Sequence, residues 1–97
     1  MEERFIIELK KMTVDFFNKD DVKIILFGSR ARKDNYTSSD VDIGIIPTEE
    51  FDEKKITLFK EKIENSNIPY KVYVINFKDV SLSLKEGALK EAVIWKD

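Results

Sequence analysis

Phe5, Leu9, Met12 and Phe16 recur at the three- and four-residue spacing of one helix face, with Glu8, Lys10, Lys11 and Asp15 between them. The pattern predicts an amphipathic helix that ends near Asn18 and turns its apolar side to a core. Val22-Lys23-Ile24-Ile25-Leu26-Phe27 is a short, β-branched apolar run stopped by Gly28, which reads as a strand covered on both faces. The polar stretch 28–39 follows. Its first half, opened by Ser29 as a possible cap, is expected to form a short helix before a loop over 35–39. Asp40 to Ile46, closed by Pro47, predicts a second strand with Val41, Ile43 and Ile45 on one face and Asp40, Asp42 and Gly44 on the other. The spacing of Ile56, Phe59 and Ile63 predicts a helix over 51–65. Past Pro69, a third strand is expected over 70–75, and a helix with a short apolar end over 79–95, weakened by Gly87.

The predicted order is helix, strand, loop, strand, helix, strand, helix. It describes an α/β or α+β domain, a small mixed sheet flanked by helices. At 97 residues the chain is expected to be one domain, 1–97, with no room for a second. Hydrophobic residues at 42% and charged residues at 37% fit a globular core and exclude a disordered polyelectrolyte. No apolar run approaches the roughly 20 residues of a bilayer span. The acidic start Met1-Glu2-Glu3 does not read as a leader, so a cytoplasmic protein without a membrane role is expected.

Composition narrows the chemistry further. With no Cys and no His there are no disulfides, no thiolate or imidazole metal sites and no Ser-His or Cys-His nucleophile systems. A net charge of −2 argues against a general nucleic-acid binder. What remains is carboxylates, hydroxyls, amides and lysines. Asp40-Val41-Asp42 then stands out, because acids two apart on a strand share a face, with Cβ atoms about 6.5–7 Å apart. Carboxylates that close raise each other's pKa unless a cation lies between them. An oxygen-only pair suits Mg²⁺, which completes its shell with water and phosphates. The alternative is that Asp40 sits in solvent at the strand start while Asp42 pairs with Arg30 or Arg32.

Gly28-Ser29 is the second feature. A glycine at the end of a buried strand allows close backbone approach, and Ser29 with exposed N–H groups after it suits a phosphate. Arg30, Arg32 and Lys33 add positive charge beside it, as phosphate neighbours or as solvated surface residues.

Gly28-Ser29, ten intervening residues and Asp40-x-Asp42 resemble the signature of the polymerase-β-like nucleotidyltransferases. Gly28-Ser29-Arg30-Ala31-Arg32 and Ser39-Asp40-Val41-Asp42-Ile43 are similar to the minimal nucleotidyltransferase (MNT) branch, as are Ile68 to Val72 and Lys90 to Ile94. The resemblance implies that Gly28, Ser29 and Arg30 bind the triphosphate of an NTP, with ATP favoured. It implies that Asp40 and Asp42 are catalytic metal ligands for Mg²⁺, two ions in the family and one or two here. It also implies a small helical HEPN partner, with the chain acting as antitoxin by transferring a nucleoside monophosphate to a hydroxyl on that partner.

The family's third acid, on the next strand, falls at Tyr73. A phenol with a reference pKa near 10 is neutral at physiological pH and a poor Mg²⁺ ligand. Val72, Val74 and Asn76 lie on the wrong face, and Asp79, beyond the strand, is the alternative source of a carboxylate. Two functions therefore stand side by side: a transferase, and a catalytically impaired module that neutralises or scaffolds its partner by contact. The apolar residues near the C-terminus offer a surface to that partner or to a second copy in a homo-oligomer.

Overall fold

The structure, a computed structural model, describes residues 2–28 and 40–97. Its elements are α1 (Glu2–Phe16), β1 (Val22–Phe27), β2 (Val41–Pro47), α2 (Lys54–Glu64), β3 (Val72–Asn76), a 3₁₀ turn (Phe77–Asp79), α3 (Leu82–Glu91) and β4 (Val93–Lys96). Among the described residues the strands form one mixed sheet in the order β3-β2-β1-β4. β1 lies antiparallel to both β2 and β4, and β2 runs parallel to β3 across the α2 connection.

Period-two alternation divides the sheet into two faces. Val22, Ile24 and Leu26 of β1, Val41, Ile43 and Ile45 of β2, Val74 of β3 and Trp95 of β4 make the floor of the core. Leu9 and Phe17 cover it from the first helical segment, and Ile56, Phe59 and Ile63 from α2. The rings of Phe16, Phe17 and Phe59 lie about 5 Å apart at the centre of this layer, at centroid separations of 4.9, 5.2 and 5.1 Å. Phe51 joins them at 6.0 Å from Phe17. Thr13 is buried among these apolar groups, and its hydroxyl donates to the Leu9 carbonyl at 2.7 Å, one turn back. That bond removes the penalty of an unsatisfied buried hydroxyl.

The other face carries the less usual residues. Gly44 pairs with Ile25, and a Cβ on Gly44 would lie 2.7 Å from Phe77 Cε1 and 2.9 Å from Ile25 Cγ1. The missing side chain is therefore the seat of the Phe77 ring. Phe77 in turn meets Phe27 edge-on at 5.3 Å, so Ile25 is sealed although α3 itself buries no residue completely.

Two expectations need correction. The tail is not one helix over 79–95. The chain makes a 3₁₀ turn, then α3 starting at the Ser81 cap, and becomes extended at Ala92. Val93 to Lys96 then form β4, because β-branched residues there can satisfy the open hydrogen-bonding edge of β1 and bury Trp95. Lys96 fixes this edge by donating to the Asp20 carbonyl at 2.8 Å and the Val22 carbonyl at 3.2 Å. The second helix starts at Lys54 rather than 51, where the Asp52 carboxylate accepts from the Lys54 amide at 3.0 Å. The helix expected from Ser29 and the loop over 35–39 lie outside the described residues. No helix is long and apolar enough to cross a membrane among the described residues.

Candidate functional site

Three neighbouring strand positions bring the polar residues together. β1 delivers Gly28 directly after Phe27, and Phe27 pairs with Asp42 of β2. Gly28 has φ +79°, the left-handed region that favours glycine. A Cβ built there would overlap Asp42 Oδ2. The glycine is thus needed twice, once for its backbone conformation and once because the Asp42 carboxylate occupies the adjoining space.

On the far side of β2, Asp42 is in register with Tyr73 of the parallel strand β3. Parallel partners share a face, so the position expected for a third acid is beside Asp42 and holds a phenol. Tyr73 is 38% exposed, large for an aromatic ring on a sheet. Among the described residues no three acids come together in a group able to hold a metal ion, and Asp79, exposed in the 3₁₀ turn, supplies no third member.

The electrostatics follow from this placement. Burial first, and the neighbouring charge of Asp40 second, push the Asp42 carboxyl above its ordinary value of 3.8. Two neighbouring carboxylates are a donor set for a hard divalent cation, which would favour the ionised form of Asp42. Asp40 and Asp42 are the residues that would hold such an ion.

Lys71 was not singled out by the sequence. It precedes β3, and its carbonyl accepts from the Val41 amide at 2.9 Å, which locks it next to the Asp40–Asp42 segment. Its ammonium lies 5.4 Å from the centroid of the Tyr73 ring. The Tyr73 hydroxyl first, and Asp40 more weakly, hold that ammonium above its usual pKa. The strand period contained the signal, since 71, 73 and 75 fall on one face with Asp42.

A cleft of about 500 Å³ opens from this site toward α3. Gly28 and Asp42 form one polar end; Phe27, Ile75 and Phe77 form its floor; Leu84 and Ala88 of α3, with the polar Ser83 and Glu91, form its far wall. Ser29 and Arg30, expected to bind phosphate, lie outside the described residues. Gly28 directly follows β1, Asp40 directly precedes β2, and Asp42 lies on β2.

The model of the polymerase beta nucleotidyltransferase family matches residues 10–97, and the chain belongs to that family. Solved structures share the fold. A toxin–antitoxin structure with AMP-PNP aligns at a TM-score of 0.68 and 17% identity, covering 89% of this chain and 71% of that one. A tri-AMPylated HEPN toxin from Shewanella oneidensis in complex with its MNT antitoxin aligns at 0.66 and 19% identity, covering 98% and 71%. A mutant of the toxin–antitoxin pair MntA-HpeT aligns at 0.66 and 15% identity, covering 89% and 70%. The search of curated proteins found no match.

Proposed function

We propose that this chain binds a nucleoside triphosphate, ATP by preference, as its Mg²⁺ complex, and transfers the nucleoside monophosphate to a hydroxyl on a partner protein. The partner is a HEPN toxin, and the chain is its MNT antitoxin. The observation that carries the reading is the Gly28–Asp42 juxtaposition at the mouth of the cleft: a residue without a Cβ against a carboxylate, opening onto an apolar slot. The family supplies the reaction class, and the neighbours' AMP-PNP and AMPylated toxin supply the nucleotide and partner classes.

In this reading Gly28 and Ser29 offer backbone and hydroxyl donors to the phosphates, with Arg30 compensating charge. Asp40 and Asp42 would hold Mg²⁺, which when bound supplies positive charge against the triphosphate and the departing pyrophosphate. Phe27, Phe77 and Leu84 surround the apolar part of the nucleotide and exclude water from it.

A second reading has its own observation. Tyr73 sits beside Asp42 where the family carries an acid, which favours a module that binds its partner without transfer. Label transfer from α-phosphate-labelled ATP and Mg²⁺ to a HEPN-type partner protein separates the two. Wild type, Asp42→Asn and Tyr73→Asp are compared. Transfer by wild type and loss in Asp42→Asn supports the enzyme. Transfer by Tyr73→Asp alone supports the contact module.

A further inference from the structure

A second divalent ion in a phosphoryl-transfer site needs anionic oxygen ligands of its own. On β3 the side chain in register with Asp42 is the neutral phenol of Tyr73. Lys71, two residues before it at the entry to β3, brings a positive charge next to that phenol. Its ammonium lies over the Tyr73 ring at 5.4 Å. Its backbone is tied to β2 through the 2.9 Å bond from the Val41 amide, between the two acids in sequence. The ammonium also lies within electrostatic reach of Asp40. A cation in that position repels a second divalent ion and offers three donors to a phosphate or an acceptor oxygen.

We propose that the site takes one divalent cation rather than two, with the Lys71 ammonium, aligned by Tyr73, supplying the remaining positive charge toward the triphosphate. This inference rests on the nucleotide-binding reading above. It assigns Lys71 as a ligand-contacting residue and Tyr73 as a positioning residue whose ring holds the ammonium over the site. The ammonium carries one charge on a movable stem, so the substitution trades a fixed metal for a group that swings with its side chain.

The test counts metal ions directly. The full chain is titrated with Mn²⁺ in the presence of a non-hydrolysable ATP analogue, and bound Mn²⁺ per chain is read by electron paramagnetic resonance. Affinity for the analogue is measured in parallel. One Mn²⁺ per bound analogue is expected in wild type, without the spin coupling of a close Mn²⁺ pair. Lys71→Gln should weaken the analogue by about tenfold or more, the worth of one charge-assisted hydrogen bond, and Lys71→Arg should restore most of it. The double variant Lys71→Gln/Tyr73→Asp, which removes the cation and adds a carboxylate, should take up a second Mn²⁺. Thermal melts without ligand establish that each variant is folded.

A coupled Mn²⁺ pair in wild type overturns the proposal and leaves the nucleotide-binding reading standing. So does undiminished affinity in Lys71→Gln, or a single ion in the double variant. If wild type shows no metal-dependent analogue binding, both fall together.

Discussion

The carboxylate of Asp42 occupies the space that a side chain on Gly28 would need, and the two residues are brought together by the antiparallel pairing of Phe27 with Asp42. Gly28→Ala therefore meets two obstacles: a left-handed backbone conformation and an oxygen in the way. A loss of about 1–2 kcal/mol in unfolding free energy is expected from the backbone conformation alone. Nucleotide binding should fall further than stability does, because Asp42 must move aside. Urea denaturation and nucleotide titration of the same variant check both.

Asp42→Asn should act in opposite directions on stability and binding. It removes a carboxylate whose ionisation is opposed by burial and by Asp40. Without Mg²⁺ and nucleotide, the variant should melt above wild type, by about 0.5 kcal/mol or roughly 2–4 °C. With Mg²⁺ and ATP the order should reverse, since only wild type gains the ligand's linkage energy. Differential scanning fluorimetry under both conditions reads this directly.

The pH dependence has a definite sign. The Asp42 carboxyl titrates above 3.8 in the folded chain and near it when unfolded, so the folded chain holds this proton more tightly. Its contribution to stability is therefore greatest at low pH and falls as pH rises through the folded titration. Glu53 works the other way: its hydrogen bond with Lys78, at 2.9 Å, holds its carboxyl below the ordinary value, a contribution lost on acidification. The difference between wild type and Asp42→Asn, followed by urea denaturation from pH 3 upward in metal-free buffer, isolates the first group. Wild type should lose ground to the variant as pH rises.

Gly44→Ala tests the second sheet face. A Cβ there runs into the Phe77 ring and the Ile25 side chain together, at 2.7 and 2.9 Å. Overpacking of this kind costs about 1–3 kcal/mol. The displaced ring would also disturb the cleft floor, so a lower denaturation midpoint should come with weaker nucleotide binding. Gly87→Ala is the control. Nothing lies within 4 Å of a Cβ there, and the exchange should stabilise α3 by about 0.5–1 kcal/mol.

Much of this architecture was legible in the residues. The alternation of Val41, Ile43 and Ile45 against Asp42 and Gly44 separated the two faces of β2, and the family pattern put Tyr73 at the third-acid position, whereas its register with Asp42 is a property of the assembled sheet. Ile56, Phe59 and Ile63 turned inward from α2 as their spacing required. The C-terminal strand escaped because four residues, Val93 to Lys96, are too few for a periodic signal. Only the open edge of β1 makes them extended, and that is a property of the assembled sheet. Lys71 escaped for a related reason. A lysine beside a strand is ordinarily solvated, and its closeness to Asp40 and Tyr73 arises from pairing between strands distant in sequence.

That pairing also bears on how the molecule assembles. β1 occupies the middle of the sheet, with one neighbour from the adjacent strand in sequence and the other from Val93 to Lys96, near the far end of the chain. Contacts over such a separation close late, after the loop-closure entropy of the whole intervening chain has been overcome. Until then, β1 presents unpaired backbone groups and the apolar pocket awaiting Trp95, a template on which another copy's strand can add. In the folded chain the four residues of β4 cover that edge of β1 and keep it from pairing with another copy's strand.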